Sequence, residues 1–111
     1  MQMTVEKKGS VSVVSLFEDI DYYNSDELEE ELNKELEDCN SIVLLLRDVR
    51  YIDSSGLGVL TSILRKSKES DKNFILSELS SDVKNIFELT RLLDFFTIFE
   101  SKKQALESLK Q

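Results

Sequence analysis

The stretch Asp53-Ser54-Ser55-Gly56-Leu57-Gly58 gathers the residue types best able to do chemistry in this chain. It suits three kinds of work: capping a helix, attacking a substrate, or carrying a phosphate. Asp53 and Ser54 can cap the free N–H groups of a helix that begins here. Ser54, directly after Asp53, is the better placed of the two serines to do so. A nucleophilic serine needs a base, but the chain has no His and no Gly-x-Ser-x-Gly elbow. A nucleotide loop needs Gly-x-x-x-x-Gly-Lys followed by Ser or Thr, and that is missing too. A serine hydroxyl at a helix N-terminus is still suited to phosphate, because free N–H donors and the helix dipole favour negative charge there. Gly56 has no side chain and lets another group approach the backbone. Gly58 costs roughly 1 kcal/mol of helix propensity against Ala, a cost that close contact at this position would explain. From residue types alone, capping and phosphate acceptance stand side by side.

The surrounding pattern says what positions this block. Thr4 to Lys7 and Val11 to Phe17 read as strands around a Lys8-Gly9-Ser10 turn. After a polar loop, Glu18 to Asn24, the residues Leu28, Leu32, Leu36 and Cys39 recur at helical spacing. Asn24 stands where a cap belongs and Glu27 where the acid of a capping box belongs. Asp26, Glu27 and Glu29 suit the positive end of that helix. The unbroken apolar run Ile42 to Leu46 predicts a strand inside a sheet, covered on both faces. The serine block follows it and opens a helix to about Ser70, with Leu57, Leu60, Ile63 and Leu64 on one face. Phe74 to Leu76 reads as a strand and Asp82 to Leu93 as a helix. Phe96 to Phe99 reads as a short strand, and Lys102 to Lys110 as a last helix. Alternating elements predict an α/β fold with a four- to five-stranded, mostly parallel sheet and about four helices. Open sheets of this kind place ligands and switches where a strand hands over to a helix, which is where the serine block lies.

Composition narrows the function classes. The 111 residues make one domain, expected to span 1–111. A net charge of −8 disfavours nucleic acid and anionic membrane as partners. Without His the chain lacks the commonest general base and metal ligand. No metal site, cofactor or catalytic residue is therefore expected. The single cysteine, Cys39, cannot form an internal disulfide and reads as a buried packing residue. The N-terminal segment has no apolar core of a signal peptide, and Ile42 to Leu46 is far too short to span a bilayer. A cytoplasmic, monomeric binding protein is the expectation.

The run from Tyr51 to Leu60, with Asp53-Ser54-Ser55-Gly56-Leu57-Gly58 at its centre, resembles the phosphorylation motif of the anti-sigma factor antagonists, a bacterial branch of the STAS domain family. The resemblance extends over nearly the whole chain. Asp19 to Ser25 resembles the family's loop before its first helix, Ser41 to Leu46 its central strand, and Val83 to Leu92 its third helix. Three positions depart from the pattern. Asp19 replaces a common glycine, Leu45 replaces a frequent acidic or amide residue, and no glycine follows the third helix around Arg91 to Leu93.

The resemblance implies a STAS-like fold and a partner-switching role. An unphosphorylated member binds an anti-sigma factor that is itself a serine kinase of the GHKL ATPase fold. The kinase phosphorylates the second serine of the motif, here Ser55, and a separate serine phosphatase restores it. Asp53 and Ser54 would shape the loop, Gly56 and Gly58 would allow close docking, and Asp21, Tyr23 and Leu57 would line the same surface. A kinase-independent scaffold, as in a stressosome, or an accessory subunit of a lipid-transport ATPase would share the fold. Partner capture separates these readings: a GHKL-type kinase supports switching, and a transporter ATPase supports the accessory role.

Overall fold

The computed structural model describes residues 1–110. Five strands alternate with four helices: β1 (Met3–Lys8), β2 (Val11–Leu16), α1 (Ser25–Asp38), β3 (Ser41–Leu45), α2 (Ser54–Glu69), β4 (Asn73–Ser77), α3 (Ser81–Leu89), β5 (Thr97–Phe99) and α4 (Lys102–Ser108). The strands lie in sequence order in one mixed sheet. The β1–β2 hairpin is antiparallel, turned by Gly9 at a φ of 62°, and every later pairing is parallel.

The apolar run resolves into β3 as expected. It is flanked by β2 and β4, and all its residues are buried. Alternation along each strand sends side chains to two unequal cores. Val14, Leu16, Ile42, Leu44, Phe74 and Leu76 face α1, α2 and α3, joined by Leu28, Leu32, Leu60, Ile63 and Phe87. Val13, Val43, Leu45 and Ile75 face the other way, where Ala105 and Leu106 of α4 and Leu109 just past its end cover them. Leu45 therefore belongs to the smaller core, which suits an apolar residue at that position. Cys39 is buried as expected.

Two local expectations change. The third helix stops at Leu89, not Leu93. The Leu92 amide donates to the Phe87 carbonyl and the Arg91 amide to the Glu88 carbonyl, with Arg91 at a φ of 60°. This is the left-handed helix stop that glycine favours, built here with arginine. The capping box of α1 is also absent. Asn24 makes no side-chain cap, and the Glu27 carboxylate holds the Met1 amino group instead.

One buried carboxylate ties three elements together. Glu35 of α1 is 3% exposed, accepts from the Ser12 hydroxyl of β2 at 2.6 Å and pairs with Lys7 of β1 at 2.5 Å. Burial alone would push this carboxyl up. The Lys7 ammonium, the Ser12 hydroxyl and Glu31 overcome that and hold it below the ordinary carboxylate range. The bond to Glu35 pushes the Glu31 carboxyl up.

Gly56 packs where no side chain fits. A Cβ there would lie 2.6 Å from Cγ2 of Ile52 and 2.7 Å from Cγ2 of Ile20, and both isoleucines are themselves buried. A Cβ at Gly58 would meet nothing within 4 Å.

Two predictions follow from this packing. Gly56→Ala must displace α2 or both isoleucines and should cost about 1–3 kcal/mol, the usual range for overpacking. Gly58→Ala should stabilise by up to about 1 kcal/mol. Chemical denaturation checks both, and equal effects of the two variants would contradict the packing. Because the Glu35 carboxyl is depressed by folding, its contribution is complete above about pH 4.3, the ordinary glutamate value. It fades as the pH falls through the lower folded value. Glu35→Gln should therefore lower the melting temperature at pH 7, with the difference from wild type shrinking below about pH 4. A difference that grows on acidification would reject that sign.

Candidate functional site

The serine block begins where the segment after β3 meets α2, at the carboxyl ends of the parallel strands. Asp53 is the cap of α2. Its Oδ1 accepts from the Gly56 amide at 3.0 Å, and its carbonyl accepts from the Leu57 amide at 2.9 Å. The other carboxylate oxygen accepts from the Tyr22 amide at 3.0 Å. Asp53 thus ties the helix start to the loop between β2 and α1.

Further contacts fasten that loop to the segment before α2. Ile20 and Ile52 form a parallel bridge: the Ile20 amide donates to the Tyr51 carbonyl, and the Asp53 amide to the Ile20 carbonyl. Asp19 accepts from the Arg50 and Tyr51 amides at 2.8 and 3.1 Å. The acid at position 19 thus holds the segment before α2 by its main chain. Asp21 accepts from the Tyr23 amide at 2.8 Å, a short turn held by its own side chain. The Asn24 side chain accepts from the Asp21 amide at 2.9 Å and donates to the Asp19 carbonyl at 2.7 Å. The Gln2 amide and the Asn24 side chain hold the Glu18 carboxyl below its ordinary range. Among the described residues, no group of three or more His, Cys, Asp or Glu could hold a metal.

The residues singled out from sequence converge, but not all of them face solvent. Ser54 is exposed and Ser55 half-buried, on the first two positions of α2. The structure makes Asp53 the cap, so the idea that Ser54 engages its hydroxyl in capping does not hold. Asp53 serves the Gly56 and Leu57 amides, which leaves the Ser54 and Ser55 amides as the open donors of the helix start. Gly56 is buried against Ile20 and Ile52, so its missing side chain serves internal packing and not a docking partner. Gly58 is exposed with open space above it. Leu57 is half-buried and leans on the larger core, and Asp21 is half-buried beside exposed Tyr23.

Two aromatic residues at the site were not singled out from sequence. Tyr22 is 72% exposed, Tyr23 89% and Tyr51 54%. The Tyr22 and Tyr23 rings meet edge to face at 5.5 Å. The signal available in the sequence was the paired tyrosines in an otherwise polar loop, which had no reason to be buried. The backbone amides of all three are fixed by the aspartates, so the exposed rings form a collar carried on held backbone in the two segments that meet at the Asp53 cap.

With this geometry in view, the relatives become informative. The STAS domain model matches residues 2–105. The anti-sigma F factor antagonist of Paenibacillus polymyxa is 23% identical over 99% of this chain and 96% of its own length. The anti-sigma-B factor antagonist of Staphylococcus aureus is 32% identical over 74% of this chain and 77% of its own. The anti-sigma factor antagonist SpoIIAA in its unphosphorylated form superposes with a TM-score of 0.82 at 17% identity, covering 97% of this chain and 96% of that one. SpoIIAA of Bacillus in its phosphorylated form gives 0.75 at 16%, covering 98% and 100%. At those identities the superpositions speak for the fold alone. The match over residues 2–105 and the staphylococcal relative place this chain in the STAS domain family, beside its anti-sigma factor antagonists.

Proposed function

We propose that this protein is an anti-sigma factor antagonist that works by partner switching, with Ser55 as the phosphate acceptor. The observation that carries the reading is the position of Ser55: it stands on the first turn of α2, beside open N–H donors and next to the Asp53 cap, which fastens the loop of exposed Tyr22 and Tyr23 to the helix start. It is a binding protein acted on by others. Its partners are a serine kinase of the GHKL ATPase type, which doubles as the anti-sigma factor, and a serine phosphatase. The relatives' names support the first partner, and a phosphorylated SpoIIAA supports the covalent step.

The physics of the switch follows from the helix start. The kinase moves the γ-phosphoryl group of ATP to the Ser55 oxygen, which loses its proton, and ADP leaves. The phosphoserine brings about −1.5 to −2 charge. At the N-terminus of α2 that charge meets the helix dipole and unpaired amides, so the domain tolerates it. In a desolvated contact shaped for a hydroxyl, the same charge is repelled or left unpaired. Binding is lost while the fold stays. Ser55 is chosen over Ser54 on the family motif, since neither serine is needed as the cap. No helix among the described residues is long and apolar enough to cross a membrane, and a cytoplasmic setting fits the proposed partners.

Two predictions test this. After incubation with the cognate kinase and ATP, fragmentation mass spectrometry of the Tyr51 to Arg65 peptide should place the phosphate on Ser55. Ser55→Ala should abolish incorporation, and Ser54→Ala should slow it at most. Stoichiometric phosphate on Ser55→Ala protein would reject the assignment. Separately, Tyr22→Ala combined with Tyr23→Ala should weaken kinase binding by about 10-fold or more, since exposed aromatic anchors dominate such contacts. The melting temperature should hardly move, because both rings lie in solvent. Titration calorimetry showing unchanged affinity would remove the collar from the interface.

A further inference from the structure

The two faces of the sheet are covered unequally. Three helices cover the larger core, while only the seven-residue α4 covers the other, lying over β3, β4 and β5. The start of β2 is left open beside it. A groove of about 560 Å³ runs there between α4 and the start of β2. Its apolar lining is Val11, Leu106 and Leu109, and among the described residues it also carries Lys8, Lys102, Lys103 and Lys110 with one carboxylate, Glu107. Four ammonium groups around one apolar trough stand out in a chain of net charge −8. Lys102 is engaged by Glu6 at 3.2 Å, and Lys8 lies 3.9 Å from the same carboxylate. Lys103 and Lys110 are exposed and enter no ion pair among the described residues.

We propose that this groove binds a single-chain anionic amphiphile, a free fatty-acid carboxylate. The volume lies within the range of about 300–1,000 Å³ typical of small-molecule sites. The apolar strip takes the alkyl chain, and the unpaired lysines take the headgroup, their own alkyl stems extending the apolar wall. The chemistry selects an anion over a neutral or cationic headgroup, since two positive charges remain in excess after Glu107 and Glu6 are counted against the four lysines. The site is separate from the serine block. The two lie on opposite faces of the sheet, and β2 and β3 run parallel, so the groove at the start of β2 is at the far end from the segment after β3. The proposal does not rest on the switching role.

The test titrates the full chain with monomeric octanoate, decanoate, decanol and decylammonium, below their micellar concentrations, and follows backbone amide shifts by NMR. Decanoate should shift amides of Lys8, Val11, Leu106 and Lys110, and bind roughly tenfold tighter than octanoate. Each buried methylene is worth about a factor of four. Decanol and decylammonium should bind at least about tenfold more weakly than decanoate, as charge-assisted contacts would be lost. Lys103→Glu combined with Lys110→Glu lies at the surface and should keep the fold by circular dichroism while losing decanoate about tenfold or more. Equal binding of decanol and decanoate, unchanged binding by the double variant, or shifts elsewhere on the protein would overturn the proposal. So would binding only to phosphatidylglycerol vesicles, which would make the lysines a membrane-facing patch.

Discussion

The closeness of α2 to the Ile20–Ile52 bridge is the constraint on which the site depends. The helix can begin that near only because residue 56 has no side chain, with both isoleucine methyls under 3 Å from where a Cβ would stand. That contact sets the height of the first turn of α2 above the sheet and so the positions of Ser54 and Ser55. It also brings the Asp53 carboxylate within reach of Tyr22, on a loop more than thirty residues earlier in the chain. With a larger residue the cap, the bridge and the loop could not all be satisfied together.

The division of labour among polar groups follows. Asp19, Asp21 and Asp53 accept hydrogen bonds from main-chain amides, which fixes two irregular segments. Irregular backbone left unpaired would be costly, so these acids hold the loops in one shape. The serines are then free of structural duty. A group that bears no load in the fold can change its charge without disturbing it, and that is what separates a surface switch from one that acts by unfolding. The network around Glu35 stabilises the far side of the domain independently, joining β1, β2 and α1.

Much of this was legible in the residues. The apolar run Ile42 to Leu46 announced a central strand because only a strand with neighbours on both edges buries every side chain. The spacing of Leu28, Leu32 and Leu36 announced α1 for the complementary reason. The serine block showed where the helix begins, and the motif it resembles showed the family. Less legible were features decided by partners distant in sequence. Gly56 looked like clearance for a visitor, but its neighbours are Ile20 and Ile52. Asn24 looked like a cap, yet its amide is used up on Asp19 and Asp21. Arg91 gave no sign of a left-handed helix stop, because the pattern Val83, Ile86, Phe87, Thr90 runs smoothly through it. The tyrosine collar emerged only when Tyr51 was brought beside the loop carrying Tyr22 and Tyr23.

The central claim is that charge on Ser55 breaks an interface and leaves the domain intact. The most direct measurement is a calorimetric titration of the anti-sigma kinase with this protein carrying phosphoserine at position 55, beside the unmodified protein, with a melting curve on each. The account predicts affinity lower by about 100-fold, a few kcal/mol lost from one desolvated charge, with the melting temperature essentially unchanged. Equal affinity for the two forms, or weaker binding accompanied by a large drop in melting temperature, would contradict it.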